Sequence, residues 1–177
     1  MLADRRRSRE LKAFAALVAV GYVVLVAMAV AAYEKSGAPS YNEGVQNMEA
    51  GQMGLAEQQF KLALQRNPNL AEAHLNLGKI YLQTGWLDGA GAETGKAVEI
   101  FERTHHTVVV GATWEQSLSI AYNNLGAIES ARAAQVSDAD QQRVHRETAI
   151  ADFRKAVELD PSDAQAQANL QRFGTAP

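Results

Sequence analysis

Histidines, carboxylates and amides are the side chains in this sequence with the chemistry to act on another molecule, and their spacing excludes most of what they could do. The 177-residue chain has no cysteine, so it offers no thiol nucleophile, disulfide or cysteine-bound metal. Its four histidines, His74, His105, His106 and His145, stand in unrelated contexts. His105 and His106 are adjacent, but neighbours on a regular element diverge, and no cluster of further ligands accompanies them. No Ser-His-Asp order, phosphate-cradling glycine loop, His-Glu-x-x-His motif or carboxylate cluster stands out. We therefore expect no catalysis, no cofactor and no metal. What recurs is the amide: Asn42, Asn76, Asn124 and Asn169. A primary amide offers two donors and an acceptor, which suits the backbone of an extended peptide whatever its side chains.

Holding such amides in a line requires a repeated scaffold, and the sequence contains one. Between Ala71 and Thr104, Leu77, Gly78 and Tyr81 share one helical face, while Ala90 and Ala97 share a face of a second helix. Gly85 interrupts the chain between them, and the small residues Gly78 and Ala90 let two antiparallel helices approach closely. This reads as a helix hairpin. Gly44, Gly51, Ala56, Phe60, Ala63 and Pro68 repeat the register 34 residues earlier. Asn124-Leu125-Gly126, Ala149, Phe153, Ala156 and Pro161 repeat it again if eleven residues, about 130–141, are inserted between the helices. A last segment, Ala164 to Phe173, carries Asn169 and Leu170 and no second helix.

The pattern resembles the tetratricopeptide repeat (TPR), whose 34-residue period carries Leu-Gly-x-x-Tyr in its first helix, a small and then a large residue in its second, and a closing proline. Thr94 and Glu102 depart from it, replacing the aromatic and the proline. The resemblance implies an all-α solenoid of three repeats, about 37–70, 71–104 and 119–163, with a capping helix at 164–173 and insertions at 105–118 and 130–141. It further implies a concave groove, lined by first helices, that binds protein as an extended peptide or helix. Asn42, Asn76, Asn124 and Asn169 would form its amide line, flanked by Tyr41, Leu75 and Asn123, by Val45 and Lys79, and by Met48 and Leu82. Asparagine is also habitual at this place in the family, so ligand contact and family habit both remain open. Co-chaperones of the family grip a carboxylate terminus with lysine, asparagine and arginine. Here the matching places hold Tyr41, Val45, Ile120 and Asn124, and only Asn76 is kept, so that clamp is not expected.

Residues 13–33 are uncharged, and 21 residues at about 1.5 Å each cross a hydrocarbon core of roughly 30 Å. They read as a transmembrane signal-anchor helix behind a basic tail, 1–12, and ahead of a short linker, 34–40. A cleaved signal peptide is the rival reading, although the apolar run exceeds the usual length. Arg5, Arg6, Arg7, Arg9 and Lys12 outnumber Asp4 and Glu10, which places the amino terminus in the cytoplasm and the repeat domain, 41–177, outside it, on the periplasmic side of a bacterial inner membrane. Eleven basic and seventeen acidic residues give that domain a charge of minus 6. Nucleic acid and flat adhesion to anionic lipid are thereby disfavoured, and no small-molecule substrate is implied. We expect either a membrane-anchored adaptor for assembly or maturation of envelope complexes, or a permanent structural subunit of a larger membrane complex.

Some local expectations follow. Gly89, Gly91 and Gly95 weaken the second helix of the second repeat. Gly91, Thr94 and Gly95 imply a gap toward the next hairpin, which Val108-Val109-Val110 would fold back to fill. Thr113-Trp-Glu-Gln116 reads as a capping box. The insertion at 130–141 lengthens both helices of the third hairpin into a projecting tip, made polar by Glu129, Arg132, Asp138, Arg143 and Arg146.

Overall fold

A glycine in each first helix receives a side chain from the second helix of its hairpin, and this sets how closely the two helices lie. A methyl group on Gly44 would come within 2.7 Å of the Phe60 ring, and one on Gly126 within 2.6 Å of the Phe153 ring. Both rings are fully buried. In the middle hairpin Thr94 stands where the rings stand. A methyl on Gly78 would collide with its hydroxyl and lie 3.2 Å from the Ala90 carbonyl oxygen.

The computed structural model describes residues 2–174, with side chains at residue 12 and from residue 14 onward. The side chains of Arg5, Arg6, Arg7 and Arg9, and residues 175–177, lie outside the described part. Eight helices follow in order: α1 (Leu2–Lys35), α2 (Ala38–Glu49), α3 (Met53–Arg66), α4 (Ala71–Gln83), α5 (Leu87–Thr104), α6 (Trp114–Gln135), α7 (Ala139–Leu159) and α8 (Ala164–Gly174). No strand occurs among the described residues. The chain is all-α, and α2/α3, α4/α5 and α6/α7 are hairpins, each packed on the next.

One apolar core joins the first two hairpins through Phe60, Leu70, Leu77, Ile80 and Leu87, and reaches Ile128 of α6. A second joins α4, α5 and α6 through Leu75, Phe101 and Leu118. Further along, α8 closes over α7, with Phe173 stacked 5.5 Å from Phe153.

Helix α1 stands apart. From Phe14 to Lys35 it is apolar, 22 residues long, and none of its membrane-length window is buried. By length and composition it is able to cross a membrane. It runs into α2 through Ser36 and Gly37 alone. Gly37 has φ 79°, and a methyl there would meet the Ala63 carbonyl oxygen at 2.6 Å, so only glycine fits. Pro39 opens α2, where its missing N–H costs nothing. Arg66 of α3 reaches back to the Glu34 carboxylate at 3.2 Å.

The gap foreseen beside α5 is filled differently from expectation. The Arg132 guanidinium of α6 lies over Gly91, 3.1 Å from where a methyl would sit, and donates to the Leu87 carbonyl and to Asp88. Gly95 has nothing within 4 Å. The valine run lies elsewhere, because the buried Glu72 carboxylate captures its start: Thr107 Oγ1 donates to Oε1 at 2.7 Å and Val108 N at 2.6 Å. Hydrogen bonds to a carboxylate are about twice as strong as neutral ones, and the open space beside Gly95 offers no comparable gain. Despite its three glycines α5 is helical throughout, ending at His105 in the left-handed region. The His105 ring packs on Trp114, which begins α6 after a capping box formed by Thr113 and Gln116.

The third hairpin is the longest, with helices of 22 and 21 residues. Its turn is held by Asp138, which accepts from Gln141 N, and by Gln142, which donates to the Val136 carbonyl. Of the five residues expected at a solvated tip, Asp138, Arg143 and Arg146 are exposed, whereas Glu129 and Arg132 are half-buried. Glu129 accepts from Arg132 at 2.6 Å and pairs with His145 at 2.6 Å. Burial, and secondarily the Glu129 charge, push the Asp152 carboxyl up to about 6.

This packing is testable at two points. The Thr94 hydroxyl is buried without a hydrogen-bond partner, so Thr94→Val should raise stability by about 1 kcal/mol, whereas Gly126→Ala should lower it; chemical denaturation of both variants checks the pair. For Asp152, a carboxyl raised in the folded state favours folding while protonated, and that advantage is lost as pH rises through about 6. The Tm difference between Asp152→Asn and wild type should therefore be small near pH 4 and positive above pH 6. A flat or inverted profile contradicts the assignment.

Candidate functional site

The concave side is built from first helices, and its floor is a hollow of about 220 Å³. Helix α2 contributes Tyr41; α4 contributes Glu72, Leu75, Asn76 and Lys79, on successive turns of one face; α6 contributes Gln116, Ser117, Ile120 and Asn124. The fourth wall is the 105–112 loop, through Val109 and Ala112. Glu72 holds this loop in place. It is only 4% exposed, and Thr107 Oγ1 lies 3.0 Å from Ser117 Oγ while also accepting from Val109 N. A buried acid thus spends its charge inward, on one wall of the hollow.

Burial, then the Glu72 charge, push the Tyr41 hydroxyl up to about 12, with the Asn76 amide pulling the other way. Tyr41 is therefore a neutral phenol at any physiological pH, able to donate and accept. The Asn124 Nδ2 is sealed from bulk solvent and has no hydrogen-bond partner. A buried unpaired donor costs roughly 1–3 kcal/mol, so a rotation of the Asn124 side chain that brought it to an acceptor in the hollow would be rewarded. Leu75 is buried in the wall and Ile120 is 48% exposed. The hollow therefore combines apolar walls, a neutral phenol and an orphan amide donor, with Lys79 exposed at its rim. It has room for one large side chain.

Of the residues expected in the groove, Tyr41, Leu75, Asn76, Lys79 and Asn124 come together here. Asn76 and Asn124 are half-buried rather than fully open. The others are elsewhere. Asn42 is exposed on α2 outside the hollow. Val45, Met48 and Leu82 pack against the first apolar core, which draws them into the seam between hairpins. Asn123 is 3% exposed and accepts from the Asn169 amide at 2.8 Å, so these two asparagines clasp α6 to α8 and are spent on each other. The amide line is thus reduced to Asn76 and Asn124. Glu72 and the loop residues Val109 and Ala112 were not foreseen; an acid in the first turn of a helix reads as an exposed partner of the helix dipole, and nothing local signals a loop 36 residues away.

The tetratricopeptide repeat family model matches residues 71–103 and 145–163. No curated protein sequence matches the chain. Among solved structures, the first TPR domain of Spaghetti (RPAP3), bound to the HSP90 peptide SRMEEVD, is similar at 17% identity and a TM-score of 0.61, over 80% of this chain and 92% of that one. A thermophilic TPR protein of Thermus thermophilus is similar at 20% identity and a TM-score of 0.63, over 77% of this chain and 63% of that one. The second TPR domain of human RPAP3, in complex with the HSP70 peptide SGPTIEEVD, is similar at 14% identity and a TM-score of 0.60, over 81% and 98%. At these identities the likeness is one of fold. Sequence over residues 71–103 and 145–163 thus marks tetratricopeptide repeats in this chain, and the likeness of fold extends across its helix hairpins.

Proposed function

We propose that the chain is a membrane-anchored adaptor, without enzymatic activity, that holds a protein partner in its concave groove during assembly or maturation of envelope complexes. The observation that carries the reading is the hollow itself, where Asn124, whose buried amide nitrogen has no partner, and the neutral phenol Tyr41 line a cavity with apolar walls. That chemistry fits a peptide which inserts one large apolar side chain and offers a backbone carbonyl beside it. Structures of similar fold described with HSP90 and HSP70 peptides support peptide binding in general. Those peptides end in Glu-Glu-Val-Asp, and the cationic set expected to grip such a carboxylate terminus is replaced here by Tyr41, Val45, Ile120 and Asn124. The partner is therefore of a different, less acidic kind.

In this reading α1 is the anchor, with the basic tail in the cytoplasm and the repeats on the periplasmic side. A second reading is favoured by the same helix: its apolar surface from Phe14 to Lys35 is wholly uncovered, as in a subunit that packs on neighbours in a permanent complex. Purification in mild detergent separates the two, since an adaptor emerges alone or with varied clients and a subunit emerges with fixed stoichiometric partners.

A photocrosslinking residue at Ile120 should trap a protein partner in intact membranes. Combining it with Asn76→Ala and Asn124→Ala should weaken capture by about 1 kcal/mol per lost hydrogen bond while helicity is kept. Unchanged capture by the folded double variant moves the binding surface elsewhere. For topology, a reporter active only outside the cytoplasm, fused after Pro177, should be active, and a cytoplasmic reporter at the same place should be silent; the reverse pattern overturns the orientation.

A further inference from the structure

We propose that the seam between α7 and α8 is a second docking site, which accepts an acidic amphipathic helix of a protein partner. Helix α8 packs along α7, and the seam between them is open in two hollows. The neighbouring face of α7 is continuous. At about 100° per residue, Arg143, Arg146, Ile150, Arg154 and Val157 fall within an arc of roughly 100°, and the stripe runs for about 21 Å. Two hollows lie along it. One, of about 660 Å³, is lined by Arg143, Arg146, Ile150, Arg172 and Phe173, with Glu147 as its one carboxylate; the other, of about 370 Å³, is lined by Arg154, Val157 and Leu170.

Two properties define the occupant. The floor is apolar and preset: Ile150, Val157, Leu170 and Phe173 are half-buried, and Phe173 cannot swing freely because it stacks on the fully buried Phe153 ring at 5.5 Å. The rim is cationic. Among the described residues Arg146, Arg154 and Arg172 have no carboxylate partner, Arg172 resting 5.3 Å from the Phe173 ring centroid. Arg143 is engaged only by Asp140 at 3.1 Å and Glu147 at 3.7 Å. In a domain whose charge is minus 6 over 41–177, this strip of four arginines reverses the local sign. Leucine-type side chains on one stripe of a helix, with glutamates beside them, match both the floor and the rim.

A lipid headgroup would also meet arginines, but the seam lies at the opposite end of the helix order from α1, which packs on α2 and is bonded by Arg66 of α3. The apolar floor likewise favours a protein helix. The site shares no residue with the concave hollow, so it stands or falls independently of the groove.

The test uses the full chain in detergent micelles and a fluorescein-labelled helical peptide of about 16 residues, long enough at about 1.5 Å each to span the stripe. It carries leucines at i, i+3, i+4 and i+7 and glutamates beside them. Controls are the same peptide with lysine for glutamate, and a scrambled order. Fluorescence anisotropy should show saturable binding of the acidic helix only, weakened by added salt. Arg146→Glu combined with Arg172→Glu should weaken it at least about tenfold, which is about 1.4 kcal/mol. Both positions are exposed, so circular dichroism should be unchanged, and Asn76→Ala with Asn124→Ala should leave binding intact. The proposal is overturned if wild type fails to bind the acidic helix, if the scrambled or lysine peptide binds equally, or if the arginine variant binds as wild type does. Loss of flotation with anionic vesicles in the arginine variant, without any effect on peptide binding, would reassign the arginines to lipid and also overturn it.

Discussion

Everything in the solenoid depends on how closely the two helices of a hairpin approach, and that distance is set where Gly44, Gly78 and Gly126 face Phe60, Thr94 and Phe153. Where the partner is a ring, the ring fills the space a side chain on the glycine would need, and the two helices are spaced by an aromatic edge. Where it is threonine, the hydroxyl takes that space, and in both the second and third hairpins a backbone carbonyl, that of Ala90 or Ala149, also lies close to the glycine. Interiors are close-packed and do not deform smoothly, so a change of spacing in one hairpin is passed to its neighbours through shared side chains such as Leu77 and Ile128.

The groove is shaped by a different constraint, the need to satisfy a carboxylate that the fold buries. Glu72 has water on no useful side, and the 105–112 loop supplies an amide and a hydroxyl in its place. An insertion with the length of a slack connector becomes a wall of the hollow. The valines that follow are left partly or wholly outside, with Val110 99% exposed.

Much of the fold was legible because helix hairpins write themselves in periodic small and large residues. Gly78, Ala90 and Ala97 announce close helix contact wherever they occur at this spacing, and Thr113 with Gln116 announces a helix start without reference to anything distant. The groove was legible only in part. Asn76 and Asn124 share a place in the repeat and so share a face, with Tyr41 and Leu75 at the place just before it. Asn123 and Asn169 carry the same amide chemistry, but their fate is decided by which of two adjacent turns meets the cap, a matter of helix rotation that periodicity does not resolve. The Glu72 contact spans 36 residues and joins a helix to an aperiodic loop, so no local rule points to it. The valine run was misassigned for the same reason: an apolar segment was matched to the nearest apparent void, while polar satisfaction of its backbone decided where it went.

The joint between α1 and the repeats leaves almost no slack. Ser36 caps back onto the Tyr33 carbonyl and accepts from Ala38 N, while Arg66 bonds both the carbonyl and the carboxylate of Glu34. A flexible tether would let the repeat domain sample a cap of directions and would dilute the groove over that volume. Here only Ser36 and Gly37 lie between α1 and α2, so the solenoid stays close to the end of α1 and the bearing of the groove follows from the tilt and azimuth of a single helix. Whatever grips α1 therefore also aims the groove, and a partner fixed to the same support meets the hollow at a preset angle and height.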